Sequence, residues 1–176
     1  QRQMCIRDSY VMIVLGLTMG MQPIVGYNFG AQKIDRVKQT LRLGIISGVV
    51  ITSSGFVICE FFPHAVSALF TDSDELINLA VEGIRLAVLM FPFVGAQIVI
   101  GNFFQSIGKA KISIFLSLTR QLLYLLPCLL LFPQWWGLKG VWISMPVSDA
   151  LAFVTAVISL MIYCLLYTSD AADEAR

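Results

Sequence analysis

Charge is what this 176-residue sequence has least of. Only 13% of its residues are Asp, Glu, Lys or Arg, whereas 57% are hydrophobic, and the mean hydropathy is +0.81. Soluble domains carry about 25% charged residues, so this composition excludes an ordinary soluble domain of the same length. The net charge of +1 says little, because the sign of the charge changes from one segment to the next.

Residues that carry chemistry are also scarce. The four cysteines stand singly without metal-ligand spacing, so the sequence predicts neither a disulfide framework nor a zinc site. There is no nucleotide-binding P-loop, so we expect no ATP-driven step from the chain itself. No signal peptide is recognisable, because the first apolar stretch is long, rich in glycine and without a small-residue cleavage site.

Long apolar runs are what the sequence has in abundance. Five of them each have about the 20 residues that a helix needs to cross a bilayer. They are Tyr10–Phe29, Leu43–Phe62, Leu86–Phe104, Ile112–Phe132 and Val141–Tyr163. The sequence therefore predicts an all-α integral membrane protein with five transmembrane helices.

The gaps between these runs predict the orientation. The first and third gaps are basic and hold Lys33, Arg36, Lys38 and Arg42, and Lys109 with Lys111. The second gap is acidic, with Asp72, Asp74 and Glu75, and the fourth, Pro133–Gly140, holds only Lys139. Basic residues collect on the cytoplasmic side. We therefore expect the first run to point inward and the last helix to end in the cytoplasm, in a multi-pass protein of the plasma membrane.

The two ends of the chain fit a membrane protein poorly, and the genetic code offers a test. Gln1–Ser9 can be encoded by CAG CGT CAG ATG TGT ATA AGA GAC AG, with the last codon incomplete. The reverse complement, shifted by one base, translates as Cys-Leu-Leu-Tyr-Thr-Ser-Asp-Ala, which is the sequence of residues 164–171. We therefore interpret residues 1–9 and 164–176 as artefacts of a sequencing-library adapter. Residues 10–163 are then part of a longer reading frame.

Polar side chains recur at helical spacing in two of the apolar runs. Thr18, Gln22, Gly26 and Gly30 form one stripe, which indicates either close helix packing or a helix that lines a solvated cavity. Gln97, Gly101 and Gln105 share a face in the third run, with Asn102 beside it. Amides facing lipid are costly, so we expect this face to point into protein or water.

Two charges lie deep in the last two runs. At about 1.5 Å per residue, Arg120 and Asp149 both lie about 16–18 Å from the turn that joins those runs, near the middle of the bilayer. Ionised groups at that depth are expensive unless they are paired or hydrated. The two residues are predicted to pair, and the pair would fix helix packing or serve as an ion-linked switch. The alternative is that they stay apart and Arg120 extends toward the inner surface.

Four segments together resemble the multidrug and toxic compound extrusion (MATE) transporters. They are Gln22–Ala31 followed by Arg36-Val37-Lys38, Leu69-Phe70-Thr71 with its acidic continuation, Phe104–Lys111, and Gly140–Pro146. The resemblance implies a fold of twelve helices in two six-helix lobes. Residues 10–163 would be the last five helices of the second lobe, and the missing N-terminal lobe of the same chain would be their partner.

The resemblance also implies a function, namely antiport of organic, often cationic, compounds out of the cell in exchange for protons or sodium ions. A lipid-linked saccharide flippase of the same superfamily is the main alternative. An intramembrane lipid-modifying enzyme is less favoured, because the clustered acids Asp72, Asp74 and Glu75 are better explained as a helix cap. We expect small-molecule substrates, no nucleic acid, no catalytic or metal-binding residues and no cofactor, with the ion-coupling site outside this segment. The predicted cavity-lining residues are Gln22, Tyr27, Gln97, Asn102 and Gln105.

Overall fold

The computed structural model describes residues 3–63, 81, 83 and 85–174, and within them every regular element is helical. The helices are α1 (Gln3–Gly30), α2 (Ile34–Phe61), α3 (Phe91–Ser106), α4 (Ala110–Leu118) and α5 (Leu126–Glu174). A π-helical segment, Thr119–Leu125, joins α4 to α5 without a break in the chain direction. The all-helical membrane fold predicted from the sequence is confirmed.

Four helical segments of the described chain are long and apolar enough to cross a membrane. They are Asp8–Gly30, Ile34–Phe61, Ala110–Gly137 and Lys139–Leu165, which match the first, second, fourth and fifth predicted runs. We call the last two the fourth span and the fifth span. The fourth span contains α4, the π-helical segment and the first part of α5, and the fifth span is the main part of α5.

The third predicted run is shorter as a helix than the sequence indicates. The hydropathy predicts it from Leu86 to Phe104, but α3 begins at Phe91 and has 16 residues. A turn at Leu89 and Met90 separates it from the helical residues 85–88, and Pro92 occupies the first turn of α3, where its missing N–H costs no hydrogen bond. At about 1.5 Å per residue, α3 is about 24 Å long, less than the ~30 Å hydrocarbon core.

Helix α3 lies at the centre of the bundle. Its buried side chains include Val99, Ile100 and Phe104, which belong to a cluster with residues from every other helix. Members from the other helices include Val14 and Val25 of α1, Leu41 of α2, Leu116 of α4 and Ala156 of α5. Nine of the 16 residues of α3 are buried, so protein covers most of this short helix.

The contact between α2 and α3 is made by small residues. Buried positions of α2 recur every three or four residues, and they include Gly44, Gly48, Thr52 and Gly55. A Cβ atom added to Gly95 of α3 would overlap the carbonyl oxygen of Gly48 and lie 2.6 Å from Thr52 Oγ1. Thr52 Oγ1 also lies 3.3 Å from the carbonyl oxygen of Pro92. Small side chains thus let the two backbones touch, a common way for helices to associate in membranes.

The fourth and fifth spans form a hairpin that reverses at one residue. Gly137 has φ 55 and ψ −135, a conformation that favours glycine, and helical residues flank it on both sides. The hydroxyl of Ser144 in the fifth span is 3.0 Å from the carbonyl oxygen of Cys128 in the fourth. The gap expected at Pro133–Gly140 is therefore mostly helical, and the turn itself is much tighter than predicted.

Both turns expected to be basic lie at the same end of the bundle as the end of the fifth span. Phe29, Ile34, Phe103 and Tyr163 line one small apolar cavity of about 50 Å³. These residues flank the α1–α2 turn, the α3–α4 turn and the end of the fifth span. This arrangement agrees with the alternation of inward and outward spans that the charges predict.

The acidic second gap lies outside the described residues. The predicted helix cap with Asp72, Asp74 and Glu75 and the family-like segment Leu69-Phe70-Thr71 therefore lie outside the part of the chain that the structure describes. Arg85, which borders the gap, contacts Glu60 at the end of α2, with its Nε 3.6 Å from Glu60 Oε1. Both side chains are exposed, so this contact contributes little to stability.

Candidate functional site

An open cavity of about 580 Å³ lies between α1, α3 and the fourth span. Its volume falls within the range of about 300–1,000 Å³ that is usual for small-molecule sites. The lining is made of apolar and neutral polar side chains and one charged residue, and comprises Val11, Leu15, Gln97, Ile98, Gly101, Asn102, Gln105, Ser113, Leu116, Ser117, Leu118, Arg120 and Gln121.

The polar face of α3 forms one wall of this cavity. Gln97, Gly101 and Gln105 are spaced four residues apart and therefore lie on one side of the helix, with Asn102 beside them. Gln105 is exposed, whereas Gln97 is only 8% exposed. The structure thus brings together three of the five predicted cavity residues.

Asn102 also joins α3 to α1. Its Oδ1 accepts a hydrogen bond from Nε2 of Gln22 at 3.3 Å, and its Nδ2 donates to the carbonyl oxygen of Ile98 at 2.9 Å. Both the oxygen and the nitrogen of the Asn102 amide therefore form hydrogen bonds. Gln22, predicted to line the cavity, is not among its lining residues and contacts the wall through its hydrogen bond to Asn102.

Most of the small-residue stripe on α1 packs against protein. Thr18 is fully buried and bonds to the carbonyl oxygen of Leu15 at 2.8 Å. A Cβ atom added to Gly26 would meet the carbonyl oxygen of Ser106 at 3.4 Å, so α1 and the end of α3 are close there. Of the two alternatives for this stripe, helix packing describes Thr18 and Gly26, while Gly30 has nothing within 4 Å.

Tyr27 does not line the cavity inside this bundle. It is 76% exposed on the outer surface of α1 and is absent from the cavity wall. The physical reason is its helical position, because the turn that buries Val25 and Asn28 directs Tyr27 away from α3.

Arg120 and Asp149 form an ion pair. The guanidinium donates to Oδ1 of Asp149 from Nη2 at 2.8 Å and from Nε at 3.1 Å. Asp149 is 3% exposed, and it is the one acidic residue among the buried polar residues of the described chain. The Arg120 side chain is 25% exposed and forms part of the cavity wall. The pair adds no net charge to the wall, and its role as a coupling site stays a prediction.

The π-helical segment supplies two of the polar contacts between the fourth and fifth spans. Arg120 lies in its first turn, and the hydroxyl of Tyr124 is 2.8 Å from Oγ1 of Thr155. π-helical turns are rare and often occur at functional sites, because the wider turn redirects side chains. The segment is more polar than the α-helices around it, with Thr119, Arg120 and Gln121 in its first turn, but no pattern in the sequence distinguishes a π-helical turn from an α-helical one.

Comparisons with known proteins agree with this architecture. Residues 4–130 match the profile of the MatE family. The multidrug export protein MepA of Staphylococcus haemolyticus is 23% identical over 164 residues, which cover 93% of this chain and 35% of MepA. The probable multidrug resistance protein NorM of Pseudomonas aeruginosa is 28% identical over 149 residues, which cover 80% of this chain and 30% of NorM.

A solved structure also shows similarity to this family. The structure of the MATE multidrug transporter DinF-BH in complex with rhodamine 6G matches with a TM-score of 0.83 and 36% sequence identity, over 89% of this chain and 35% of that one. The chain thus spans about a third of the length of the relatives it matches. The family match covers more than half of the chain. The chain therefore belongs to the MatE family, whose members are transporters and not enzymes.

Proposed function

We propose that this chain is part of an antiporter that exports organic, often cationic, compounds in exchange for protons or sodium ions. The observation that carries the proposal is the cavity of about 580 Å³ inside an all-helical membrane bundle, with the amides of Gln97, Asn102 and Gln105 in its wall. The names of the relatives, multidrug export protein and multidrug resistance protein, support the same activity.

The chemistry of the wall suits a compound that must be bound and then released. Amide and hydroxyl groups can bond to many organic molecules, while apolar residues such as Leu15 and Ile98 contact their hydrocarbon parts. A fixed, unpaired charge would hold an opposite charge too tightly in a medium of low dielectric constant. Because Arg120 is paired with Asp149, the wall has no such charge among the described residues.

The ion-coupling site is proposed to lie outside this segment. Coupling requires a carboxylate whose occupancy biases the inward- and outward-facing states. The predicted third run has Gln97 and Asn102 but no acidic residue in its middle, and Asp149 is held by Arg120. A carboxylate in the missing N-terminal lobe is the proposed alternative, with protons or sodium ions as the coupling ion.

The organisation of the whole protein is part of the same proposal. Residues 10–163 would form most of the second lobe, and residues 1–9 and 164–176 would be adapter artefacts. The match to about a third of each relative supports a longer parent chain. The basic turns at one end of the bundle support a cytoplasmic end of the fifth span in the plasma membrane.

The experiment is transport by the complete protein. The reading frame that contains residues 10–163 is recovered from uninterrupted genomic DNA, and its product is reconstituted in liposomes with rhodamine 6G. We expect dye movement driven by an imposed proton gradient or sodium gradient, and the gradient that drives it identifies the coupling ion. Transport of a lipid-linked saccharide without movement of the dye would contradict the proposal, and a parent frame that contains Gln1–Ser9 unchanged would contradict the adapter interpretation.

A further inference from the structure

One buried polar atom in the cavity wall has no hydrogen-bond partner. Oε1 of Gln97 is the one such side-chain atom among the described residues, and Gln97 is 8% exposed. Leaving a buried acceptor unpaired costs free energy, so native proteins satisfy nearly all of them with protein, water or a ligand. Oε1 of Gln97 is therefore an acceptor that a bound molecule with a hydrogen-bond donor would satisfy.

Two polar groups of the wall use their donors on other acceptors. Asn102 uses its Nδ2 on the carbonyl oxygen of Ile98. Arg120 directs its Nη2 and Nε at Asp149. Each therefore donates to an acceptor other than Gln97 in the arrangement observed.

We propose that Oε1 of Gln97, after rotation of the amide toward the open cavity, accepts a hydrogen bond from an N–H group of an exported aromatic cation bound in this cavity. The inference rests on the proposed export function and adds the group that selects among its substrates. The cavity is large enough for a drug-sized molecule, and its apolar lining, including Leu15 and Leu116, would contact an aromatic ring system. The neutral amide oxygen accepts hydrogen bonds, so it favours compounds with N–H donors over matched compounds that lack them.

Two related dyes test this preference. Rhodamine 6G and rhodamine B ethyl ester are both monocations with a xanthene ring and an ethyl ester, but only rhodamine 6G has secondary amines with N–H groups. Binding of each dye to the purified complete protein in detergent micelles is measured by fluorescence anisotropy. For Gln97→Leu we expect the Kd of rhodamine 6G to rise about tenfold, the effect of losing one hydrogen bond to a charged group, and the Kd of the ester to change less than about twofold.

Matched variants separate the hydrogen bond from general effects. Gln39→Leu makes the same substitution at an exposed position of α2 and should leave both dyes unaffected. Gln97→Glu keeps acceptor oxygens and should retain the preference for rhodamine 6G. If Gln97→Leu does not fold, Gln97→Met, which has nearly the shape of glutamine, is measured in its place, and the ratio of the two affinities within that variant is the readout.

The outcomes decide between this inference and the export proposal. Equal affinities of the wild-type protein for the two dyes, no binding of either dye, or a ratio that Gln97→Leu leaves unchanged would each overturn the inference. Lower thermal stability of Gln97→Leu with an unchanged ratio would show that Gln97 bonds within the protein, and would overturn it too. Failure of dye transport in liposomes would overturn the export proposal, whereas a Gln97-dependent ratio would still support the binding site.

Discussion

Removing one partner of the Arg120–Asp149 pair should cost more stability than removing both. The two groups are 2.8 Å apart, which at an effective dielectric constant of about 20 corresponds to an attraction of about 6 kcal/mol. Much of this attraction is offset by the cost of taking both charges out of water. The net value of the pair is therefore small, but the cost of removing one charge while the opposite charge stays buried is large.

The burial of each partner sets the order of the two single variants. Asp149 is 3% exposed, so Arg120→Leu leaves its carboxylate in the interior without the guanidinium and should cost about 5 kcal/mol, the upper part of the range for broken buried pairs. Asp149→Leu leaves Arg120 beside an open cavity, where water can reach it, and should cost about 3 kcal/mol. The double variant Arg120→Leu/Asp149→Leu should be more stable than either single variant by about 2 kcal/mol or more.

The assay is the free energy of unfolding of the complete protein in detergent micelles, measured by denaturant titration. Tyr124→Phe removes the neighbouring hydrogen bond to Thr155 and is the control, with an expected loss of about 0.6 kcal/mol. If the losses of the two single variants simply add in the double variant, the two groups do not interact. That result would refute the argument from burial.

Three further predictions concern packing, coupling and completeness. Gly95→Ala should lower the free energy of unfolding by about 1–3 kcal/mol, because its methyl group would meet the backbone of α2 at Gly48, whereas Gly101→Ala on the same helix, with open space around it, should cause no loss; equal effects would contradict the contact. Dye export by the complete transporter should survive the double substitution of Arg120 and Asp149 by leucine if the pair fixes packing only, and its loss in a folded variant would instead support a coupling role. Residues 10–163 alone, in liposomes, should move no dye under either gradient, because alternating access needs two bundles around a shared site; measurable dye transport by this part would contradict the two-lobe proposal.

Hydropathy alone can predict the number and order of most spans. The runs that form α1, α2 and the two hairpin spans are long, and their lengths match the bilayer. The start of α3 cannot be predicted in this way, because Leu89 and Met90 are as apolar as the helix that follows them and only their backbone forms a turn. Pro92 is the one signal there, since proline is favoured in the first turn of a helix.

The depth of the charged pair can be predicted, because counting residues from a turn at about 1.5 Å per residue needs no tertiary structure. The direction in which a side chain points is harder to predict from the sequence. Tyr27 lies in the same helix turn as residues that are buried, and the apolar sequence around it does not show which side meets protein and which meets lipid. The prediction for Tyr27 therefore has no support from its surroundings, and the residue lies outside the cavity. Gln97 lies in the wall, and its spacing to Gln105 marks a polar face of the helix.

The α2–α3 contact is also not predicted from the sequence, because an apolar helix does not show which of its faces meets protein and which meets lipid. In water, a buried face is marked by hydrophobic residues, but in a bilayer both faces of a helix are hydrophobic and the marker is small size. Gly44 and Gly48 have the four-residue spacing of such a face, and Thr52 continues it. Their partner, Gly95, is a single glycine with no pattern around it, and only the three-dimensional structure shows that its hydrogen atoms face the carbonyl oxygen of Gly48. A stripe of small residues therefore predicts that a helix packs closely, but it does not predict against which helix.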